Sequence, residues 1–184
     1  MRYTLSLLFL VICGFRPDTK PARTQDNNEQ TDFGVEETFQ KPVPLLVGAL
    51  QSLRMSKGPR ELLSECAEEE GIQAAEIPAS WFVASEIQLG KTPGSGLVVR
   101  GEDACLRGAH ITQFWVLAKT TAGYRVVFQG RGDGMSVLPA RTNGYRDLEL
   151  IIVMQAGANV DNVRFRYSRG KYRASGHRIE HNQR

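Results

Sequence analysis

The chain has 184 residues, with 23 Lys and Arg against 20 Asp and Glu, and a formal net charge of +3 at pH 7. So modest a balance excludes binding driven by net charge alone, nucleic-acid binding above all. Beyond the first residues there is no long apolar run, so the body of the chain contains no transmembrane helix.

The chain opens with Met1-Arg2-Tyr3-Thr4, then LSLLFLVI over residues 5–12, then Cys13-Gly14. One positive charge, a short apolar run and a small-residue zone predict a signal peptide over residues 1–14. The apolar run falls far short of the ~20 residues a spanning helix needs. The expected destination is the periplasm or cell envelope. Leu10-Val11-Ile12-Cys13 resembles a bacterial lipobox in its Leu and its Cys and departs from it at Ile12, where a small residue is expected. Cys13 is thus a candidate for lipidation, and a lipid-anchored product and a plain secreted one are both open.

Residues 15–41 are rich in Asp, Asn, Gln, Thr and Lys, the composition of a disordered polar tether. Residues 42–176 are one domain's worth of chain. Residues 177–184 read as a flexible polar tail. Within the domain, residues 45–55 (LLVGALQSLRM) are a helix candidate weakened by Gly48. Residues 59–70 form a better one, with Pro59 in the first turn and Gly71 just past the end. Leu62, Leu63, Cys66 and Ala67 share one of its faces.

From Pro78 the period changes. Trp81-Phe82-Val83, residues 97–99 and residues 111–119 (ITQFWVLAK) read as strands, the last with Phe114, Val116 and Ala118 on one face. Residues 124–129 and 135–138 flank Gly130-Arg131-Gly132-Asp133-Gly134, a hairpin turn by composition. Residues 147–154 (DLELIIVM) are long and apolar. Val163, Phe165 and Tyr167 alternate with Arg164 and Arg166, and the turn at residues 168–171 leads into a return strand at Tyr172. The expected class is α+β: one or two N-terminal helices, then a mainly antiparallel β-meander of seven or eight short strands.

Removing Cys13 leaves Cys66 and Cys105. In an oxidising compartment they can pair, and a bridge over that loop is worth about 4 kcal/mol by loop-closure entropy. The alternative is two separate thiols, one on a helix and one in a loop.

The stretch from Trp81 to Tyr172 resembles families of exported bacterial proteins of unknown function. The phrases that carry the likeness are Trp81-Phe82, Leu97-Val98-Val99, Cys105-Leu106-Arg107-Gly108-Ala109, Phe114-Trp115-Val116, Asn143-Gly144-Tyr145-Arg146-Asp147-Leu148 and Tyr167-Ser168-Arg169-Gly170-Lys171-Tyr172. The first half also resembles one FG-GAP repeat of the integrin-propeller type, which would imply a calcium loop before the Leu-Val-Val strand. Here that loop reads EIQLGKTPGSG over residues 86–96. Lys91 stands where a carboxylate belongs, and Glu86 is the one acid. Calcium needs six to eight oxygen ligands, so no metal is expected. With no internal repeat, one unit makes no propeller.

The inventory for catalysis is thin. His110, His177 and His181 have no zinc-ligand spacing, no G-x-S-x-G elbow is present, and no glycine-rich phosphate loop opens a helix. No cofactor is expected. Arg131-Gly132-Asp133 spells an adhesion tripeptide, but it is also ordinary turn chemistry. Arg164, Arg166, Arg169, Lys171, Arg173, Arg178 and Arg184 are interleaved with Phe165, Tyr167 and Tyr172. That pattern is a basic strand face, suited either to an anionic polymer or membrane surface or simply to solvent. Asn143 to Leu148 is either a recognition corner or a turn whose Asp147 caps backbone donors, with Arg146 in a local ion pair.

The expected function is therefore a non-catalytic exported or cell-envelope module. It would bind an envelope protein or an anionic surface through loops or the basic strand face, with Arg146, Arg164 and Arg166 as binding residues. One alternative is a small secreted inhibitor of a hydrolase such as lysozyme, inserting the loops at residues 131–134 and 142–147. Another is a hydrolase with a site around His110, Asp147 and Ser95.

Overall fold

A computed structural model describes residues 29–92, 94–154 and 158–181. The expected signal peptide, Cys13, the first half of the expected tether and Arg184 lie outside them.

Over the described residues the fold is α+β and its sheets are antiparallel, with ten strands rather than seven or eight. They are β1 (Asp32–Gly34), β2 (Pro42–Val43), β3 (Phe82–Ile87), β4 (Gly96–Gly101), β5 (Thr112–Thr120), β6 (Gly123–Gly132), β7 (Gly134–Thr142), β8 (Tyr145–Met154), β9 (Asn159–Ser168) and β10 (Lys171–His181). The helices are α1 (Val47–Met55) and α2 (Lys57–Glu69). One five-stranded sheet has the order β1-β7-β8-β9-β10 and the other β2-β3-β4-β5-β6.

Three layers result. Phe114, Val116 and Ala118 of β5 face the other sheet, where Met135, Val137, Leu148, Leu150, Tyr167 and Tyr172 meet them. Trp115 and Leu117 point the opposite way, onto Leu50, Leu53, Leu63 and Cys66 of the two helices. The β2–β6 sheet is thus covered on both faces. This is why its central strands read as nearly continuous apolar runs. Each fully buried large side chain there contributes about 1.5–3 kcal/mol.

The expected single meander is two meanders of four strands. Composition predicted a hairpin at residues 130–134, but there the chain passes from one sheet to the other with only Asp133 between β6 and β7. Asp133 is held from three sides. Its N–H donates to Ile151 O (2.8 Å), its carbonyl accepts from Val35 N (2.9 Å), and its Oδ2 accepts from Val153 N (2.8 Å). Gly132 is required by the close approach, since a Cβ there would lie 2.6 Å from Ile151 O.

The expected tether also differs. Residues 29–41 carry β1, which pairs with β7, and they bury Phe33, Val35 and Phe39. β2 then pairs with β3, so one short segment adds an edge to each sheet. Arg100, nearly buried, fastens that segment. Its guanidinium donates to the carbonyls of Gly34 and Glu37 (the latter at 2.7 Å), pairs with Glu102 at 2.6 Å and lies 4.8 Å over the Phe39 ring. At the other end, residues 177–181 of the expected tail belong to β10 and pair with β9.

Cys66 of α2 and Cys105 of the β4–β5 connection form a disulfide, with Cα atoms 5.6 Å apart and a sequence separation of 39. It joins the helical layer to the loop beneath it.

Candidate functional site: the basic face of the β9–β10 hairpin

Asn143 (φ 51°) and Gly144 (φ 83°) turn β7 into β8, and Arg169 (φ 50°) and Gly170 (φ 85°) turn β9 into β10. Two successive residues at positive φ match the right-handed twist of a tight hairpin. The second turn fixes the register in which Lys171 faces Ser168, Tyr172 faces Tyr167 and Arg173 faces Arg166. Because side chains alternate across a strand, Phe165, Tyr167 and Tyr172 go to the core. Arg164, Arg166, Lys171 and Arg173 then share the opposite, outer face. Across a register irregularity between Ala174 and Gly176, Arg178 joins them opposite Asn162.

One buried carboxylate organises this surface. Asp147 of β8 is 2% exposed. Its Oδ2 accepts from Arg164 at 2.8 and 3.3 Å and lies 3.8 Å from Arg166 Nε. Its Oδ1 has no hydrogen-bond partner among the described residues. Glu149, on the same face, stands opposite Arg164, and Arg178 pairs with Glu180 at 2.9 Å. Acid therefore lies under and beside the patch, while Arg166, Lys171, Arg173 and Arg178 are exposed to solvent.

Tyr172 anchors the hairpin from below. Its hydroxyl donates to Arg146 O at 2.5 Å, and burial first, then the Asp147 charge, raises its phenol well above the ordinary value. Tyr167 stacks on Tyr145 with centroids 3.9 Å apart and takes a hydrogen bond from Arg125 at 2.9 Å. Its phenol is also raised, chiefly by desolvation.

No protein-family model matches the chain, and no curated protein or solved structure does either.

Of the three expected binding residues, Arg164 and Arg166 stand on the basic face and Arg146 does not. Arg146 is buried, and its guanidinium donates to Leu138 O (2.8 Å), Val137 O (2.5 Å) and Glu29 Oε2 (2.9 Å). It supplies donors to the carbonyls of β7 where the β7–β8 register breaks after Val137. Asn143 likewise spends its side chain within the protein, donating to Tyr167 O at 2.8 Å. At the Asn143–Leu148 corner Asp147 caps no backbone donor among the described residues and accepts instead from Arg164 of β9, and the ion pair of Arg146 is with the distant Glu29. The Arg131-Gly132-Asp133 tripeptide is no displayed tip, because its carboxylate is taken by Val153 N.

His110, Asp147 and Ser95 are not brought together. Ser95 O accepts from Lys119 N near the end of β5, whereas His110 precedes the start of that strand. At ~3.3 Å per residue this places the two about 20 Å apart or more. Asp147 is occupied on the other sheet. Among the described residues, no group of three or more His, Cys, Asp or Glu is placed to hold a metal ion, and no helix is long and apolar enough to cross a membrane. Two open grooves, of about 530 and 340 Å³, run along the N-terminal segment rather than the basic face. The first is lined by Glu29, Asp32 and Glu37 and the second by Phe39, Arg100 and Arg107.

The pattern of alternating Arg on β9 was enough to expose Arg164 and Arg166. Placing Arg173 opposite Arg166 needed the turn's register, which the Arg169-Gly170 pair encodes. The Arg100–Glu102–Arg107 cluster was missed. Its signal was charge at the end of the apolar run Leu97-Val98-Val99.

Proposed function

We propose that this chain is an exported, non-catalytic binding module of the cell envelope, and that the outer face of β9–β10 holds an anionic partner. The observation that carries the reading is the gathering of Arg164, Arg166, Lys171, Arg173 and Arg178 on one face of one hairpin. Arg166 and Arg173 are set directly opposite each other, although like charges in that position repel. An anion bridging them relieves the repulsion, and planar guanidiniums suit carboxylate, phosphate and sulfate groups alike. The disulfide fits an oxidising compartment.

The test is titration of the protein with inorganic polyphosphate and with phosphatidylglycerol or phosphatidylcholine vesicles at low and moderate salt. Binding to the anionic probes should weaken steeply between about 50 and 200 mM salt. The pair Arg166→Ala and Arg173→Ala should abolish it with thermal unfolding unchanged. Equal binding by that double variant would end the proposal. Export and the state of Cys13 are read from the intact mass of the protein isolated from its native host. An uncleaved N-terminus would remove the exported part of the reading.

A further inference from the structure

A sheet edge is a row of unpaired N–H and C=O groups that invites another strand, and proteins shorten or cover such edges. Three of the four edges here follow that rule. β1 has three residues and β2 has two. Along β6, α1 closes in, with Ser52 Oγ donating to Tyr124 O at 2.6 Å, and Gly58 of α2 lies against the Gln129 side chain. The fourth edge is neither shortened nor covered and is guarded instead by charged side chains and by the register irregularity between Ala174 and Gly176, devices that discourage pairing with a like strand. β10 is 11 residues long and is the last strand of its sheet. Among the described residues its strand pairing is to β9 alone, and residues 173–181 are all exposed.

The side chains along this edge state what fits it. Lys171, Arg173 and Arg178 stand on the basic face, where Glu180, the one acid of the strand, pairs with Arg178 at 2.9 Å and, among the described residues, leaves Lys171 and Arg173 as its unneutralised cations on β10. A second copy pairing edge to edge would bring its own Lys171 and Arg173 to the same face, and cross-strand like charges are unfavourable. An extended segment with Asp or Glu at alternate positions meets them with the opposite sign. Its backbone would meanwhile satisfy the open hydrogen-bonding groups. Main-chain bonds supply affinity and alternate side chains supply selectivity in this mode of recognition.

We propose that β10 accepts an extended acidic segment of a partner polypeptide as a sixth strand of the β1-β7-β8-β9-β10 sheet. The proposal rests on the basic-face reading above and names its partner as a polypeptide strand. It adds a backbone component that a binder of free polyanions does not need.

The experiment uses a peptide of about ten residues alternating glutamate and valine, long enough for a normal strand. Two analogues accompany it, one N-methylated at its interior backbone amides and one with glutamine in place of glutamate. Inorganic polyphosphate serves as a strandless anion. Binding to the full chain is measured together with amide hydrogen exchange along β10. The parent peptide should bind and slow exchange at alternate amides of residues 172–181, and each analogue should bind at least about tenfold more weakly, a difference of roughly 1.4 kcal/mol. Equal binding by the N-methylated peptide, or unchanged exchange in β10, overturns strand addition and leaves the basic-face reading standing. Equal binding by the glutamine peptide overturns the acidic selectivity. Polyphosphate binding without peptide binding also overturns the proposal, and failure of both probes removes the basic-face reading as well.

Discussion

Arg166 and Arg173 face each other directly across the β9–β10 hairpin, two cations in register on the outer surface of the sheet. A buried acid, Asp147, sits 3.8 Å from Arg166 Nε and binds Arg164 more closely. The hairpin therefore holds more positive charge than its own strand neutralises, and the charge that partly offsets it comes from β8 beneath.

That arrangement makes Asp147→Asn a variant with two opposite effects. Arg164 and Arg166 are 36% and 54% exposed, so solvent screens both pairs. The asparagine still accepts a hydrogen bond, and the expected loss of stability is about 1–2 kcal/mol. Anion binding should tighten, because a competing internal carboxylate is gone. Chemical denaturation and polyphosphate titration on the same sample check both signs.

Arg146→Met should behave in the reverse way. It leaves the carbonyls of Val137 and Leu138 without their guanidinium donors inside the protein. A loss of roughly 2–4 kcal/mol is expected, with polyphosphate affinity unchanged in the molecules that remain folded. A fall in affinity without a fall in stability would return Arg146 to the binding surface.

Reduction of Cys66–Cys105 should lower stability by about 2–4 kcal/mol. Thermal unfolding with and without reductant, and of the Cys66→Ser and Cys105→Ser double variant, should agree. Because the bridge lies in the helical layer, anion binding at β9–β10 should be insensitive to it under conditions where both forms are folded.

The pH dependence should show at the alkaline end. The fold raises the Tyr172 phenol above its ordinary value of about 10, mainly through burial. The protonated form is the one the folded state favours. Its contribution is therefore complete below about pH 10 and is lost as pH rises above that value, where the unfolded chain ionises first. Tyr172→Phe should flatten the decline between roughly pH 9.5 and 11.5, and the residual slope should report Tyr167. An identical slope in the variant would count against Tyr172 as its source.

Two glycines should respond with opposite signs. Gly132→Ala drives a Cβ to 2.6 Å from Ile151 O at the crossing between sheets, and a loss of about 2 kcal/mol or more is expected. At Gly48 on α1 nothing lies within 4 Å, so Gly48→Ala should stabilise by about 0.5–1 kcal/mol. Urea unfolding midpoints decide both.

Much of the fold was written in local periodicity. Phe114, Val116 and Ala118 share a face as their spacing requires, and the hairpins at Asn143-Gly144 and Arg169-Gly170 carry residues suited to positive φ. The crossing at Asp133 was not legible, because glycines that permit a hairpin equally permit a close pass beneath Ile151. Phe33, Val35 and Phe39 were hidden by their polar neighbours. Each is a single apolar anchor in a segment whose strands are too short to show a period. For the candidate site, Arg164 and Arg166 followed from alternation. Arg146 shares the inward face of β8 with Leu148 and Leu150, so alternation itself turns it away from solvent, and the carbonyls freed at the irregularity in β7 give its guanidinium partners there.

The pairing of Asp32 with Ser136 joins residues 104 apart in sequence, their side chains hydrogen-bonded at 2.6 Å. A chain that emerges from its N-terminus delivers β1 long before β7 exists, so this sheet cannot be completed until most of the polypeptide has been released. Long-range closure of that kind is slow. The schedule leaves Phe33, Val35 and Phe39 without their core while the rest of the chain is being made. β1 can dock only after β7 has been made.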